Sequence, residues 1–293
     1  MSIFPRSMTR RDVLVRGSQA AALAVAAGSL APLFAAPASR WYKIGACEWS
    51  LHKGDPSSLK FAKEIGLDGV QIGMGSVAND LHLRKPEVQK AYLEAAQQTG
   101  MGIGSLALTW SNEVPLKSDP RAAVWLAESI DVCKAMGLTV VMPACFGNGD
   151  LDMGNTAEID HLVKVLKAAA PKAEKQGVVM GLESYLSAED NLKILDRVGS
   201  PALKVYYDVG NSTDKGYDIA KEIRLLGKLI CEFHFKDGTH RLGQGRIDFK
   251  KVRQALDAIH YSGWIQIESA NAHVEKDYAA DYKFLRGIFP ERG

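Results

Sequence analysis

From Tyr42 onward the chain repeats one unit about eight times: a short apolar run, a turn, and a longer segment with helical periodicity. The runs are 42–48 (YKIGACE), 68–73 (DGVQIG), 101–107 (MGIGSLA), 138–144 (LTVVMPA), 177–183 (GVVMGLE), 203–208 (LKVYYD), 230–236 (LICEFHF) and 264–269 (WIQIES). Helix-period segments cover 57–66, 86–99, 120–136, 156–176, 189–197, 217–227, 248–261 and 277–287. Strands that are apolar almost throughout must be covered on both faces, and helices between them make the strands parallel. Gly66, Gly100, Gly137 and Gly177 follow helical runs, where a left-handed cap belongs, and Pro86 and Pro120 stand in first turns. Eight such units in about 250 residues predict an α/β fold, a single-domain (β/α)8 TIM barrel over residues 41–290. The alternative, an open doubly wound sheet, usually carries a glycine-rich nucleotide turn after its first strand. The chain has no convincing GxGxxG or Walker sequence, and GMGS (73–76) lacks the spacing.

Residues 1–38 stand apart. Thr9-Arg10-Arg11-Asp12-Val13-Leu14 is a twin-arginine pattern, followed by a mild Ala- and Gly-rich stretch to Ala36 and a small-residue site at Ala36-Pro37-Ala38. That order predicts an export signal and a periplasmic destination. The stretch falls short of the roughly 20 strongly apolar residues a span needs, so no stable membrane insertion is expected after processing. The four cysteines have no CxxC spacing, and three lie in or at the end of apolar runs, so buried free thiols are expected. A net charge of +2 and no basic run beyond the N-terminus argue against nucleic acid as a partner. A small sugar or glycoside is expected instead, with a homo-oligomer left open.

Four runs in the second half end on a metal-type side chain: Glu183, Asp208, His234 and Glu268. The gaps are 25, 26 and 34 residues, each room for one helix and two loops. In a parallel barrel these side chains emerge at the carboxyl ends of strands five to eight, where catalytic groups sit. Two Glu, one Asp and one His without a thiolate suit one hard or borderline divalent ion: Mn, Mg or Co, with Zn also compatible.

The motifs CEWSL (47–51), GLES (181–184), YDVGN (207–211), FHFKDG (233–238), GQGRIDF (243–249) and QIES (266–269) resemble those of the xylose-isomerase-like barrel superfamily, in its sugar isomerase and epimerase branch. The resemblance spans about residues 41–290. It implies that Glu183, Asp208, His234 and Glu268 bind the metal and that Glu183 and Glu268 act as acid and base on opposite substrate faces. A divalent ion on a ketose carbonyl and its neighbouring hydroxyl acidifies the intervening C–H and stabilises an enediolate. Many epimerases of this branch carry Asp-x-x-His after strand six. Here the fourth position is Asn211, which can contact a sugar but cannot titrate near pH 7, so their specificity does not simply carry over.

Other substrate-contact candidates surround the mouth. Lys236 shares the strand face of His234 and either polarises a carbonyl, holds an anion, or pairs with Asp237. Arg246 lies in the loop after strand seven, where Arg241 competes for a sugar-binding role. Trp49 and Trp110 offer stacking faces, and His52 a polar contact. His82 and His273 rank below His52, and His161 and His260 sit on helix patterns. Glu232 points inward and needs a partner that the sequence does not name. The expected function is a metal-dependent sugar isomerase or epimerase. The alternative keeps the site but expels a β-substituent, giving an exported lyase or glycoside-cleaving enzyme on 3-keto sugars. An abasic-site endonuclease is disfavoured by the charge and by only seven histidines, and a silent sugar-binding module by the complete ligand set.

Overall fold

The computed structural model describes residues 41–270 and 273–291. The expected export signal over 1–38 lies outside the described residues. Eight strands, β1 (Tyr42–Cys47), β2 (Gly69–Gly73), β3 (Gly102–Leu108), β4 (Val140–Cys145), β5 (Val179–Ser184), β6 (Leu203–Asp208), β7 (Ile230–Phe235) and β8 (Gly263–Ile267), close into a barrel in chain order. Every pair is parallel, and Tyr42 to Ala46 of β1 pair with Gly263 to Ile267 of β8. The fold is the predicted (β/α)8 barrel.

Helices α1 (Ser57–Glu64), α2 (Pro86–Thr99), α3 (Arg121–Ala135), α4 (Thr156–Gln176), α5 (Ala188–Val198), α6 (Val209–Asp214), α7 (Ile219–Leu226), α8 (Phe249–Ala258) and α9 (Val274–Ile288) follow the strands. Each long helix turns an apolar stripe inward. Leu162, Leu166 and Ala173 of α4, for example, are buried one turn or two apart, matching the helical period. Pro86 opens α2, and Gly100 closes it with φ 73°, which a side chain would resist. Helix α6 was not among the predicted segments. Its sequence VGNSTD has no strong helix former, yet Asp208 caps it, accepting hydrogen bonds from the N–H groups of Gly210 (2.7 Å) and Asn211 (3.0 Å).

Inside the barrel, large polar side chains from one side meet glycines from the other. A Cβ on Gly45 would come within 2.2 Å of Gln266 Oε1, and one on Gly104 within 2.2 Å of Gln266 Nε2. The Trp264 ring lies against Gly69, Gly102 and Gly104. Two register shifts complete the interior. Between β2 and β3, Val70 pairs with Ile103 but Ile72 with Leu106, so β3 carries one extra residue around Gly104–Ser105. Between β6 and β7, Val205 pairs with Ile230 but Tyr206 with Glu232, so β7 carries one around Cys231. A bulge of this kind turns a side chain that would face out to face in. Both Gly104 and Ser105 accordingly meet interior groups.

All four cysteines are free thiols, as expected, with Cys47, Cys133 and Cys145 buried. Among the described residues no helix is long and apolar enough to cross a membrane.

Candidate metal centre

Strand polarity brings Glu183 of β5, Asp208 of β6, His234 of β7 and Glu268, the residue after β8, to one end of the barrel. Their ligand-type atoms all lie within 4.8 Å of one another. His234 Nδ1 stands 2.7 Å from Glu183 Oε1 and 3.6 Å from Glu268 Oε2. The register pairs Asp208 directly with His234, a consequence of the extra residue in β7. Glu183, Asp208 and His234 are buried, and Glu268 keeps 19% of its side chain exposed, so the cluster opens on the Glu268 side.

Three carboxylates this close and this dry need positive charge between them. Within the protein it comes from His234 and Lys236. The Lys236 ammonium is 2.6 Å from Asp208 Oδ2 and 2.8 Å from Glu268 Oε2. Burial pushes the carboxyls of Glu183 and Asp208 upward, more than His234 and Lys236 pull them down. Burial pushes Glu268 upward too, but His234, Lys236 and the Trp49 indole outweigh it and hold this carboxyl below its usual range. Burial lowers the His234 imidazole, and the neighbouring Cys47, Glu183 and Glu268 override it and raise it well above the ordinary value. Burial likewise fails to lower Lys236, because Asp208 and Glu268 raise it. Oxygen and imidazole donors converging in a desolvated, acid-rich spot fit a hard or borderline divalent cation.

The remaining predicted residues divide. Trp49 belongs to the site: its Nε1–H donates to Glu268 Oε1 at 3.1 Å and its ring stands edge-on to His234. Lys236 belongs to it through Asp208 and Glu268, not through Asp237. Asp237 instead accepts from the N–H groups of Gly243, Gly245, Arg246 and Ile247 and so folds the loop after β7. Asn211 is buried in the first turn of α6, its N–H on Asp208. Arg246 is 70% exposed and paired with Asp214, and Arg241 faces Asp277. His52 is exposed on the loop after β1, with φ 55°, and its side chain is not hydrogen-bonded to the cluster. Trp110 is fully buried with its ring edge-on to Trp125 of α3 at 5.3 Å, a core position and not a stacking face for a sugar. Glu48 is buried, accepting from Gly73 N–H and the Tyr92 hydroxyl, and burial raises its carboxyl to about 7.

Glu232 finds its partner in Ser105, whose hydroxyl donates to Glu232 Oε2 at 2.7 Å. Ser105 also meets Gln71, and Gln71 Oε1 is 2.6 Å from His234 Nε2. Sequence reasoning missed Gln71. The signal was there: it is the one polar residue inside the strand GVQIG, and a buried amide needs partners.

Residues 59–288 match the family described as xylose isomerase-like TIM barrel. The chain is 24% identical over 224 residues to the 2-epi-5-epi-valiolone 7-phosphate 2-epimerase of Actinoplanes sp., covering 73% of this chain and 82% of that protein. It superposes with a TM-score of 0.72 and 16% identity on the D-psicose 3-epimerase of Clostridium cellulolyticum H10, solved with D-tagatose, over 84% of this chain and 99% of the other. The 3-keto-D-glucoside 4-epimerase of Escherichia coli superposes with a TM-score of 0.69 and 15% identity, over 84% and 99%. At such identities the two structures speak for the fold alone. The match over most of the barrel is what settles kinship: the chain belongs to the xylose isomerase-like TIM barrel family.

Proposed function

We propose that the protein is a divalent-metal-dependent epimerase or isomerase of a keto sugar. The observation that carries this reading is the convergence of four hard donors from the ends of four successive strands to within 4.8 Å of one another. The epimerase named as a relative from Actinoplanes sp. supports the same class. Glu183, Asp208, His234 and Glu268 would hold the ion. Bound there, it supplies Lewis acidity toward a carbonyl and its neighbouring hydroxyl, which makes the C–H between them easier to ionise.

The protein's own groups then move the proton. Glu268 lies at the open side, its Oε1 held by the Trp49 indole and its Oε2 by Lys236, so its carboxylate is oriented before substrate arrives. Glu183 lies deeper, on the far side of the strand pair β6–β7. One glutamate takes the proton from the carbon, leaving the electron pair delocalised toward the carbonyl. The other, protonated, delivers a proton to the opposite face, which inverts that centre. Among the described residues, Lys236, on Asp208 and Glu268, and Asn211, buried in the first turn of α6, are polar groups we assign to sugar oxygens. The twin-arginine sequence supports export and therefore an unphosphorylated sugar or glycoside as substrate.

The test is turnover in D₂O with the mature, metal-loaded protein on a panel of ketoses and 3-keto glycosides. A product of unchanged composition carrying one solvent deuterium is expected. Release of an aglycone would instead establish elimination. Glu183→Gln and Glu268→Gln should each lower turnover by about 10²–10⁴-fold with metal still bound. Near-normal turnover of both variants at full occupancy rejects the paired-glutamate mechanism.

A further inference from the structure

We propose that Gln71, Ser105 and Glu232 form a buried positioning relay that fixes the tautomer of His234 and so sets the affinity of the site for a divalent cation. The proposal rests on the metal-centre reading above. All three side chains sit inside the barrel, at most 3% exposed, with His234 fully buried. They form one chain of contacts: Glu232 Oε2 to Ser105 Oγ at 2.7 Å, Ser105 Oγ to Gln71 Nε2 at 3.1 Å, and Gln71 Oε1 to His234 Nε2 at 2.6 Å.

The donor directions follow from counting protons. A serine hydroxyl has one, and that of Ser105 goes to the Glu232 carboxylate. Ser105 Oγ must then accept from the Gln71 amide, which fixes which end of the carboxamide faces it. The other end, Oε1, faces the imidazole and can only accept. Cys47 adds a second donor to the same oxygen, with its Sγ 3.3 Å away. A flipped carboxamide would take the acceptor away from the Cys47 thiol and turn its oxygen toward Ser105 Oγ, whose one proton is already given to Glu232. The imidazole therefore keeps its proton on Nε2.

The consequence lies at the other nitrogen. With Nε2–H committed to Gln71, the neutral imidazole turns its bare nitrogen, Nδ1, toward the cluster. Nδ1 is the nitrogen turned to Glu183, at 2.7 Å, and to Glu268. Without the relay, the one proton of the neutral imidazole can sit on Nδ1 instead, donated to Glu183. That hydrogen bond occupies two ligands at once and opposes metal uptake. Outer partners of ligating histidines act in this way, and their loss typically costs about 10–100-fold in metal affinity. Packing alone would make these residues matter for folding and leave affinity untouched.

Calorimetric titration of the metal-free full chain with Mn²⁺ separates the two roles. Gln71→Met removes the acceptor and should weaken binding about 10–100-fold. Ser105→Ala, the gentler change, should weaken it in the same direction, and Ser105→Thr, which keeps the hydroxyl, should restore it. Thermal unfolding of the same metal-free samples reports folding separately. In the Zn²⁺-loaded wild type, imidazole ¹⁵N spectra should show His234 protonated on Nε2 and coordinated through Nδ1. Wild-type Mn²⁺ affinity in both Gln71→Met and Ser105→Ala overturns the relay while leaving the metal centre standing. Coordination through Nε2 does the same. A wild-type chain that takes up no divalent ion overturns the metal centre, and the relay with it.

Discussion

Lys236 places a fixed positive charge where a metal's charge would also be drawn. Its ammonium bridges Asp208 and Glu268, two of the four candidate ligands. Asp208 and Glu268 must release that ammonium, or share their oxygens with it, when a cation enters. Lys236→Met should therefore tighten Mn²⁺ binding by roughly tenfold, since a unit charge a few ångströms away is worth on the order of a kcal/mol or more even when well screened. The same variant should lower the melting temperature of the metal-free protein. An unchanged Mn²⁺ affinity would mean that the ammonium leaves the carboxylates at no cost. The four cluster residues were readable in the sequence because strand ends and inward parity place side chains without any knowledge of packing. Lys236 was read correctly as facing the site but its partners were not, because Asp237 is taken by four loop N–H groups. Trp110 was misread as a possible sugar platform. It lies two residues past β3, and only the packing of α3 reveals that Trp125 covers it.

Strands and helices other than α6 were predicted nearly to their ends, since apolar runs and helical periods are local signals. What the sequence hid is how neighbouring strands slide. The bulge in β3 puts Ser105 inside, and the shift in β7 aligns Glu232 with Tyr206 and His234 with Asp208. Alternation counted from an ideal strand cannot give both Gly104 and Ser105 an inward face, so Glu232 had no visible partner. The interior glycines follow the same geometry. Close-packed interiors respond to one added methyl according to what it strikes. On Gly104 a Cβ meets the end of the Gln266 side chain at 2.2 Å, and a flexible amide can yield. On Gly69 it meets the Gly102 carbonyl oxygen at 2.1 Å, a backbone atom inside the β2–β3 ladder. Gly104→Ala should cost about 1–3 kcal/mol in denaturant unfolding, and Gly69→Ala distinctly more, up to failure to fold. Equal costs would show that the β3 backbone gives way as easily as a side chain.

The barrel as a whole divides into two halves with different stakes in the site. The ends of strands β5 to β8 each contribute one of the four candidate ligands, while the β1 to β3 side reaches the cluster through Cys47, whose thiol also groups with His234 and Glu268, through the Trp49 indole on Glu268, and through Gln71 with Ser105 behind it. A cation binding the folded chain and not the unfolded one stabilises it by linkage, about 2.7 kcal/mol at a hundredfold excess over Kd. For a domain of this size that is a rise of roughly 5–10 °C in Tm. The rise should vanish on chelation and be absent in a chain carrying Asp208→Ala and His234→Ala together. Where the added protection falls is more telling than its size. An ion held by four adjacent strand ends ties β5, β6, β7 and β8 to one another, so local opening in that half must break coordination, whereas opening in β3 and β4 need not. Native-state hydrogen exchange with and without Mn²⁺ should therefore show the larger gain in the amides of β5–β8 and of α6, whose first turn is capped by Asp208. A gain spread evenly around the barrel would mark simple mass-action stabilisation of the global fold. A gain centred on β3 and β4 would place the ion away from Glu183, Asp208, His234 and Glu268.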